Sequence, residues 1–118
     1  MTIDNIINLT KLAEMIGNDE DFIREILSEF QYELEDLSEK ISSGFENRDI
    51  VCLQQHVHNL KGISGNVCAI ALHRILIDID AALGNNDISQ ASSHLERFLH
   101  QKSAAADFLR KFLDNESK

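Results

Sequence analysis

The sequence contains no proline, only five glycines and no long apolar run. Because proline interrupts helices, its absence from a chain with few strong strand-forming residues favours an all-helical protein. The longest apolar run, Val67 to Leu72, is far shorter than the roughly 18 residues of a membrane-spanning helix, so no direct membrane insertion is expected. The N-terminus also lacks the basic region of a secretory signal. These absences predict a soluble, cytoplasmic protein.

Cysteine is nearly absent, with only Cys52 and Cys68 in the chain. If both lay on one continuous helix they would be about 24 Å apart. A disulfide requires Cα atoms within about 7 Å of each other. We therefore expect two free thiols, which are typical of a reducing compartment.

Positive charge is also in short supply, since the formal net charge is -9 at pH 7. This balance argues against nucleic acid and anionic membranes as partners. The acidic residues leave a gap, because none lies between residues 50 and 77, where Lys61 and Arg74 are found. Two interpretations are open: a buried segment that lacks acids by chance, or a segment that must receive a dianionic group.

Apolar residues recur at helical spacing in five segments. The first helix covers Leu9 to Ile16 and ends at Gly17, and the preceding isoleucines are expected to cover one end of the core: Ile3, Ile6 and Ile7. The second begins with Asn18 as its N-cap and has an apolar stripe centred on Phe30. It is expected to stop around Ser42 to Gly44.

A third helix begins at Asn47 or Asp49 and is expected to fray near Gly65 and Asn66. The fourth is closed by Gly84-Asn85-Asn86, and a capping box of Asp87 and Gln90 opens the fifth, whose apolar repeat runs from Ala91 to Phe112. Four long amphipathic helices with short connections predict an all-α, antiparallel up-and-down four-helix bundle. The short first helix caps it, and residues 1–118 form a single domain.

The third helix separates its residues into two faces at about 100° per residue. The apolar face holds Leu53, Val57, Leu60, Ser64 and Val67, and the polar face holds Gln54, Gln55, His58, Lys61, Gly62 and Gly65. Glycine within a helix costs about 1 kcal/mol relative to alanine. Two glycines beside His58 therefore suggest that clearance around the imidazole outweighs helix propensity.

The string His58-Asn59-Leu60-Lys61-Gly62 resembles the H-x-L-K-G signature of bacterial histidine-containing phosphotransfer (HPt) domains. The resemblance extends over nearly the whole chain, from the Phe30-centred helix to the last helix. It implies the same bundle, with a solvent-facing phosphoacceptor histidine midway along one helix. It also implies a phosphorelay in two-component signal transduction, with receiver domains as partners.

A free imidazole is a nucleophile towards phosphorus, and His58 is the predicted phosphoacceptor. Lys61 lies one turn later on the same face, and the resemblance gives it the role of stabilising the phosphoryl group. Gln54 and Gln55 are candidates for binding the ring or the phosphate, and Gly62 and Gly65 for leaving room. No cofactor is expected, since any magnesium would belong to the acidic pocket of the receiver domain.

The remaining histidines are expected to be structural or superficial. His56 points into the apolar side and is expected to be packed or half-buried, whereas His73, His94 and His100 are expected at the surface. No two histidines are three or four residues apart, so no helix offers a local metal-binding pair, and no metal site is predicted.

Three positions depart from the pattern that the resemblance implies. Cys68 stands where these domains usually have a small residue, often glycine, and Val57 stands where alanine is common. Neither change removes the reaction, although Cys68 affects the local geometry at the end of the third helix. Asp80 stands where the family often has glutamate or glutamine, and the sequence assigns it no role.

Two alternative functions remain open. One is a non-covalent helical interaction module, and the other is the phosphoacceptor domain of a chemotaxis-type kinase. In such kinases a further histidine often supports the phosphorylated one, and Ile77 at the matching position makes this option less favoured. A hydrolase is least favoured, because the chain has no G-x-S-x-G or H-E-x-x-H motif.

The sequence has no P-loop and no other nucleotide site, so no autonomous kinase activity is expected and the status of the chain as an enzyme stays undecided. It fits a free-standing shuttle and the HPt part of a hybrid sensor kinase equally well. The upstream kinase, the downstream regulator, the signal and the oligomeric state are not encoded in any recognisable motif.

Overall fold

The structure, a computed structural model, describes residues 6–116, and every regular element in this range is a helix. The helices are α1 (Leu9–Ile16), α2 (Glu20–Glu46), α3 (Ile50–Asn66), α4 (Ile70–Gly84), α5 (Ile88–Ser92) and α6 (Leu95–Glu116). The predicted all-α fold is confirmed.

The four long helices, α2, α3, α4 and α6, pack side by side around one apolar core. α3 packs mainly against α2 and α4, and α6 closes the bundle against α2 and α4. α3 and α4 run in opposite directions. Gln54, early in α3, contacts Leu83 near the end of α4, whereas Lys61, later in α3, contacts the earlier residue Asp80. The helices therefore have the antiparallel arrangement that the sequence predicts.

The short α1 caps one end of the bundle. Leu12 is fully buried there, and the backbone N–H of Asn8 donates to the carbonyl of Cys68, in the connection between α3 and α4. Ile7 is fully buried and Ile6 packs against the core, while Ile3 lies outside the described residues. The cap thus rests on the end of the helix that carries His58.

The start of α2 and the course of the expected fifth helix differ from what the sequence predicts. The N-cap of α2 is Asp19 and not Asn18, since the Asp19 carboxylate accepts from the N–H of Phe22 at 3.2 Å. The expected fifth helix is divided into α5 and α6 by a turn at Ser93. There the serine hydroxyl donates to the carbonyl of Gln90 at 2.6 Å, and such local side-chain bonds compete with continued helix.

Gly44 lies inside α2 and does not end the helix, which continues to Glu46. A Cβ built at Gly44 would lie 2.8 Å from Cγ of Leu53, on α3. The expected stop at Ser42 to Gly44 was therefore wrong. The glycine permits close approach of two helices and is not a terminator.

Gly44→Ala is expected to destabilise the protein, although alanine is the better helix former. Leu53 is fully buried, and its side chain would have to move within a packed core. Such overpacking costs typically about 1–3 kcal/mol, which exceeds the roughly 1 kcal/mol gained in helix propensity. Chemical denaturation of wild type and variant measures the difference, and a variant at least as stable as wild type would contradict the close packing.

Three connections between helices each turn through one residue in the left-handed region. These residues are Arg48 (φ 52°), Cys68 (φ 61°) and Asn86 (φ 59°). Glycine adopts this conformation without strain, which explains why a glycine would be favoured at position 68. Cys68 is buried and Cys52 is exposed, and both are free thiols as predicted. Burial raises the pKa of the Cys68 thiol.

Within residues 6–116, no helix is long and apolar enough to cross a membrane.

Candidate functional site

The candidate site is the solvent-facing side of α3. The opposite side is buried as predicted, with Leu53, Val57, Leu60 and Ser64 all fully enclosed. The His58 side chain is 71% exposed. A Cβ built at Gly62, one turn later, would meet nothing within 4 Å outside its own stretch of helix. The imidazole therefore stands in open space with an unobstructed neighbour.

Lys61 and Asp80 form an ion pair next to this imidazole. The Lys61 ammonium lies 2.5 Å from Oδ2 of Asp80, and the two side chains are only 27% and 24% exposed. The same carboxylate oxygen lies 3.9 Å from Nδ1 of His58, which is too long for a hydrogen bond. The site thus holds one nucleophile, one cation and one anion.

The position of Asp80 corrects an inference drawn from the acid-free segment. That segment contains no carboxylate in the sequence, but antiparallel packing brings one from the second half of α4 to the His58 face. The signal available in the sequence was position, because Asp80 stands where the resemblance places glutamate or glutamine. Periodicity alone could not predict that Asp80 pairs with Lys61.

The sequence suggested that His73 is a surface residue, but the structure places it in a contact between helices. It is half-buried between α4 and α3, and its Nδ1 lies 2.8 Å from the carbonyl oxygen of Lys61. A Cβ built at Gly65 would lie 3.0 Å from Cε1 of the His73 ring. The space beside Gly65 is therefore occupied by His73, and Gly62 alone of these two glycines faces open space.

The two glutamines of the polar face have different surroundings. Gln54 is partly buried, and its amide donates to the carbonyl of Leu83 at 3.0 Å, near the C-terminus of α4. Gln55 is exposed on the same side as His58. Gln54 therefore ties α3 to α4, and of the two only Gln55 is fully open to an approaching partner.

The other histidines lie away from the site. His56 is half-buried, as expected, and its Nδ1 is buried without a hydrogen-bond partner among the described residues. His94 contacts Arg97 at 3.3 Å, and His100 is exposed on α6. Across the part of the chain that the structure describes, no group of three or more histidine, cysteine or acidic side chains is arranged to hold a metal ion.

The arrangement defines what chemistry His58 can perform. Its Nδ1 is the ring nitrogen on the side of the Asp80 carboxylate. In the neutral tautomer protonated at Nδ1, Nε2 carries the lone pair and is the nucleophilic nitrogen. The Lys61 ammonium, paired with the same carboxylate, places a positive charge in this part of the surface.

The model of a protein family described as the Hpt domain matches residues 25–115, which is more than half of the chain. The match includes α3, α4 and the ion pair between them. No curated protein and no solved structure matches the chain significantly.

Proposed function

Because the chain belongs to the Hpt domain family, we propose that His58 accepts a phosphoryl group from an aspartyl phosphate of one receiver domain and passes it to another. Histidine phosphotransfer in phosphorelay signalling is the function of this family, and receiver domains are its partners. The observation that carries the proposal is the 71% exposed imidazole beside Lys61, on a helix whose other face is buried.

The transfer begins with the lone pair of Nε2. It attacks the phosphorus of the incoming aspartyl phosphate, an N–P bond forms, and the P–O bond to the aspartate breaks. The aspartate leaves as a carboxylate, and the proton on Nδ1 stays beside Asp80. Onward transfer reverses these steps, with a receiver aspartate as the nucleophile and Nε2 as the leaving group.

Lys61 has a different partner before and during transfer. In the unphosphorylated protein its ammonium is paired with Asp80. A phosphoryl group brings about -1.5 to -2 charges and three acceptor oxygens, so it competes with Asp80 for the ammonium. We propose that Lys61 turns from one anion to the other within the same small site.

Locating the phosphate tests the proposal. The protein is incubated with receiver domains from the same cell, each phosphorylated in advance, and the labelled peptide is identified by mass spectrometry under neutral conditions. An acid-labile phosphate on the α3 peptide, at His58, is expected. Receiver binding with no phosphate on the chain would favour a non-covalent interaction module, and a label on another histidine would reject His58.

Asp80→Asn is expected to shift the phosphoryl equilibrium towards phosphorylated His58. The substitution removes a negative charge that lies 3.9 Å from the ring and frees Lys61 for the phosphate. An ion pair between the released Lys61 ammonium and the phosphoryl group is worth about 1 kcal/mol in a water-like medium, which corresponds to roughly a fivefold shift. The ratio of phosphorylated protein to phosphorylated receiver at equilibrium measures it, and a shift towards the receiver would contradict the assigned electrostatics.

Substitutions of Gly62 separate the effect of open space beside His58 on the transfer rate from the effect of this residue on the stability of the protein. Gly62→Ala meets no obstacle within the described residues and gains up to about 1 kcal/mol in helix propensity, so the folded state becomes more stable. Phosphoryl transfer is expected to slow by roughly tenfold, because the added Cβ lies one turn from the nucleophile and small misplacements are costly at a transfer site.

A second variant, Gly62→Leu, tests the same point with greater bulk. It should slow transfer further while remaining about as stable as Gly62→Ala, since a Cβ at this position meets nothing within 4 Å and leucine is also a good helix former. Denaturation midpoints and single-turnover transfer rates are measured on the same preparations. Equal transfer rates in glycine, alanine and leucine forms would show that the partner needs no clearance there.

A further inference from the structure

We infer that His73 is a positioning residue for Lys61, so that α4 fixes this lysine at both its backbone and its side chain. The inference rests on the proposed function for its kinetic effect, although the contact itself stands independently. His73 lies 2.8 Å from the Lys61 carbonyl oxygen, and Asp80 holds the Lys61 ammonium. Both holding residues come from the face of α4 that meets α3.

The chemistry of the contact fixes the state of the His73 ring. A carbonyl oxygen only accepts hydrogen bonds, so Nδ1 of His73 must carry the proton in the neutral ring. The protonated ring also carries hydrogen on Nδ1. The bond to Lys61 is therefore present in both charge states, and it favours the neutral tautomer in which Nε2 has no proton.

The helical register explains why one helix provides both contacts. His73 and Asp80 lie about two turns apart on α4, so they fall on the same side of it. Lys61 lies opposite them on α3, and its extended side chain spans the distance from its carbonyl, at His73, to its ammonium, at Asp80. The turn from Lys61 to Gly65 is thereby attached to α4 and is not free to shift along it.

Gly65 provides the room for this arrangement. Any Cβ at this position would lie 3.0 Å from Cε1 and 3.2 Å from Nδ1 of His73. Such contacts would push the ring away from the Lys61 carbonyl. The sequence assigned Gly65 to clearance around His58. Gly65 is better explained as leaving room for the His73 ring at the contact between α3 and α4.

The consequence is a defined starting position for the cation. The side chain of a lysine has four rotatable bonds, so its ammonium can occupy many positions. The fixed backbone and the pairing with Asp80 keep the Lys61 ammonium near the place where the phosphoryl group arrives. Without His73, the backbone of the turn that bears Lys61 loses its hydrogen bond to α4, and only the side-chain pair with Asp80 remains. The rate of transfer should fall while the affinity for the receiver stays the same.

Two variants of His73 distinguish the hydrogen bond from packing. His73→Leu keeps an apolar side chain between the helices but removes the donor, and it is expected to slow transfer by about three- to tenfold, the range for one lost hydrogen bond. His73→Asn places an amide N–H at the position of Nδ1 and should restore most of the rate. Receiver affinity, measured by titration calorimetry, should be unchanged in both.

A double substitution tests the role of Gly65. Gly65→Ala alone should slow transfer about as much as His73→Leu, because the new Cβ displaces the ring. In Gly65→Ala/His73→Ala the space vacated by the ring accepts the Cβ, so the second change should add no further loss to that of His73→Ala. Additive losses would contradict a shared mechanism, because contacting residues that act together are not additive.

Nitrogen NMR at pH 8 tests the contact between His73 and Lys61 directly, and its result does not depend on phosphorylation of His58. The expected spectrum has a protonated Nδ1 and an unprotonated Nε2 for His73, and a Lys61 carbonyl shift that changes in His73→Leu and returns in His73→Asn. A ring protonated at Nε2 alone would overturn the inference, as would a wild-type transfer rate in His73→Leu. Failure of wild type to accept phosphate at His58 would reject the proposed function and leave the NMR result to decide on this contact.

Discussion

Replacing His58 by glutamine is expected to abolish phosphoryl transfer completely, with no measurable loss of stability. Glutamine has a side-chain amide of similar reach but no nucleophilic nitrogen, so no N–P bond can form. The side chain at this position is 71% exposed, and exposed substitutions usually change stability by less than about 0.5 kcal/mol. Labelling from a phosphorylated receiver and a denaturation curve measure the two effects on one sample.

The matched control is His100→Gln, which makes the same chemical change at an exposed histidine on α6. It should retain wild-type labelling. Acid-labile phosphate on His58→Gln at the wild-type level would reject the assignment of the phosphoacceptor. Loss of labelling in both variants would indicate that glutamine substitution disturbs the protein generally.

The fold was predictable because its signals are local and repeated. Helical spacing of Leu53, Val57 and Leu60 determines which side of α3 is buried, and the same spacing places His58 opposite them. Any helix with this pattern has to bury that face against others. The exposure of His58 thus followed from residues that never touch it.

The errors arose where a residue's role depends on another helix. Gly44 reads as a helix terminator in sequence, but it lies within α2 because Leu53 of α3 needs the space. His73 was expected at the surface, and only the approach of α3 encloses it. Local patterns contain no information on which side chains meet between helices.

Asp80 has one property that the sequence predicts and one that depends on another helix. Its position in the sequence matches an expected polar residue of the family, but its function depends on distances that no pattern gives. The carboxylate reaches Lys61 at 2.5 Å and lies 3.9 Å from His58. A short acidic side chain at this place therefore holds the lysine, and not the histidine, in the unphosphorylated protein.

Lys61→Ala is expected to give the second-largest effect, a loss of roughly 10- to 100-fold in transfer rate. The ammonium is the cation nearest to His58 in the site, and removing one charged or hydrogen-bonding group that stabilises a transition state costs up to about 10²–10³-fold in closed active sites. A site as open to water as this one should fall below that range, because solvent screens the interaction. Single-turnover transfer from a phosphorylated receiver measures the rate, and receiver affinity should change little.

Lys102→Ala provides the matched control for this loss. Lys102 is a half-buried lysine that also forms an ion pair, with Glu35 at 3.1 Å, and its side chain is 23% exposed compared with 27% for Lys61. Both variants break one ion pair between helices, and Lys61→Ala should lose somewhat more stability because the Asp80 carboxylate it leaves unpaired is 24% exposed, whereas Glu35 is 56% exposed. Only Lys61→Ala should lose transfer, because Lys102 joins α6 to α2, away from the pair that Asp80 forms next to His58. Equal transfer rates in the two variants would remove Lys61 from the mechanism, and with it the reason for α4 to hold this side chain.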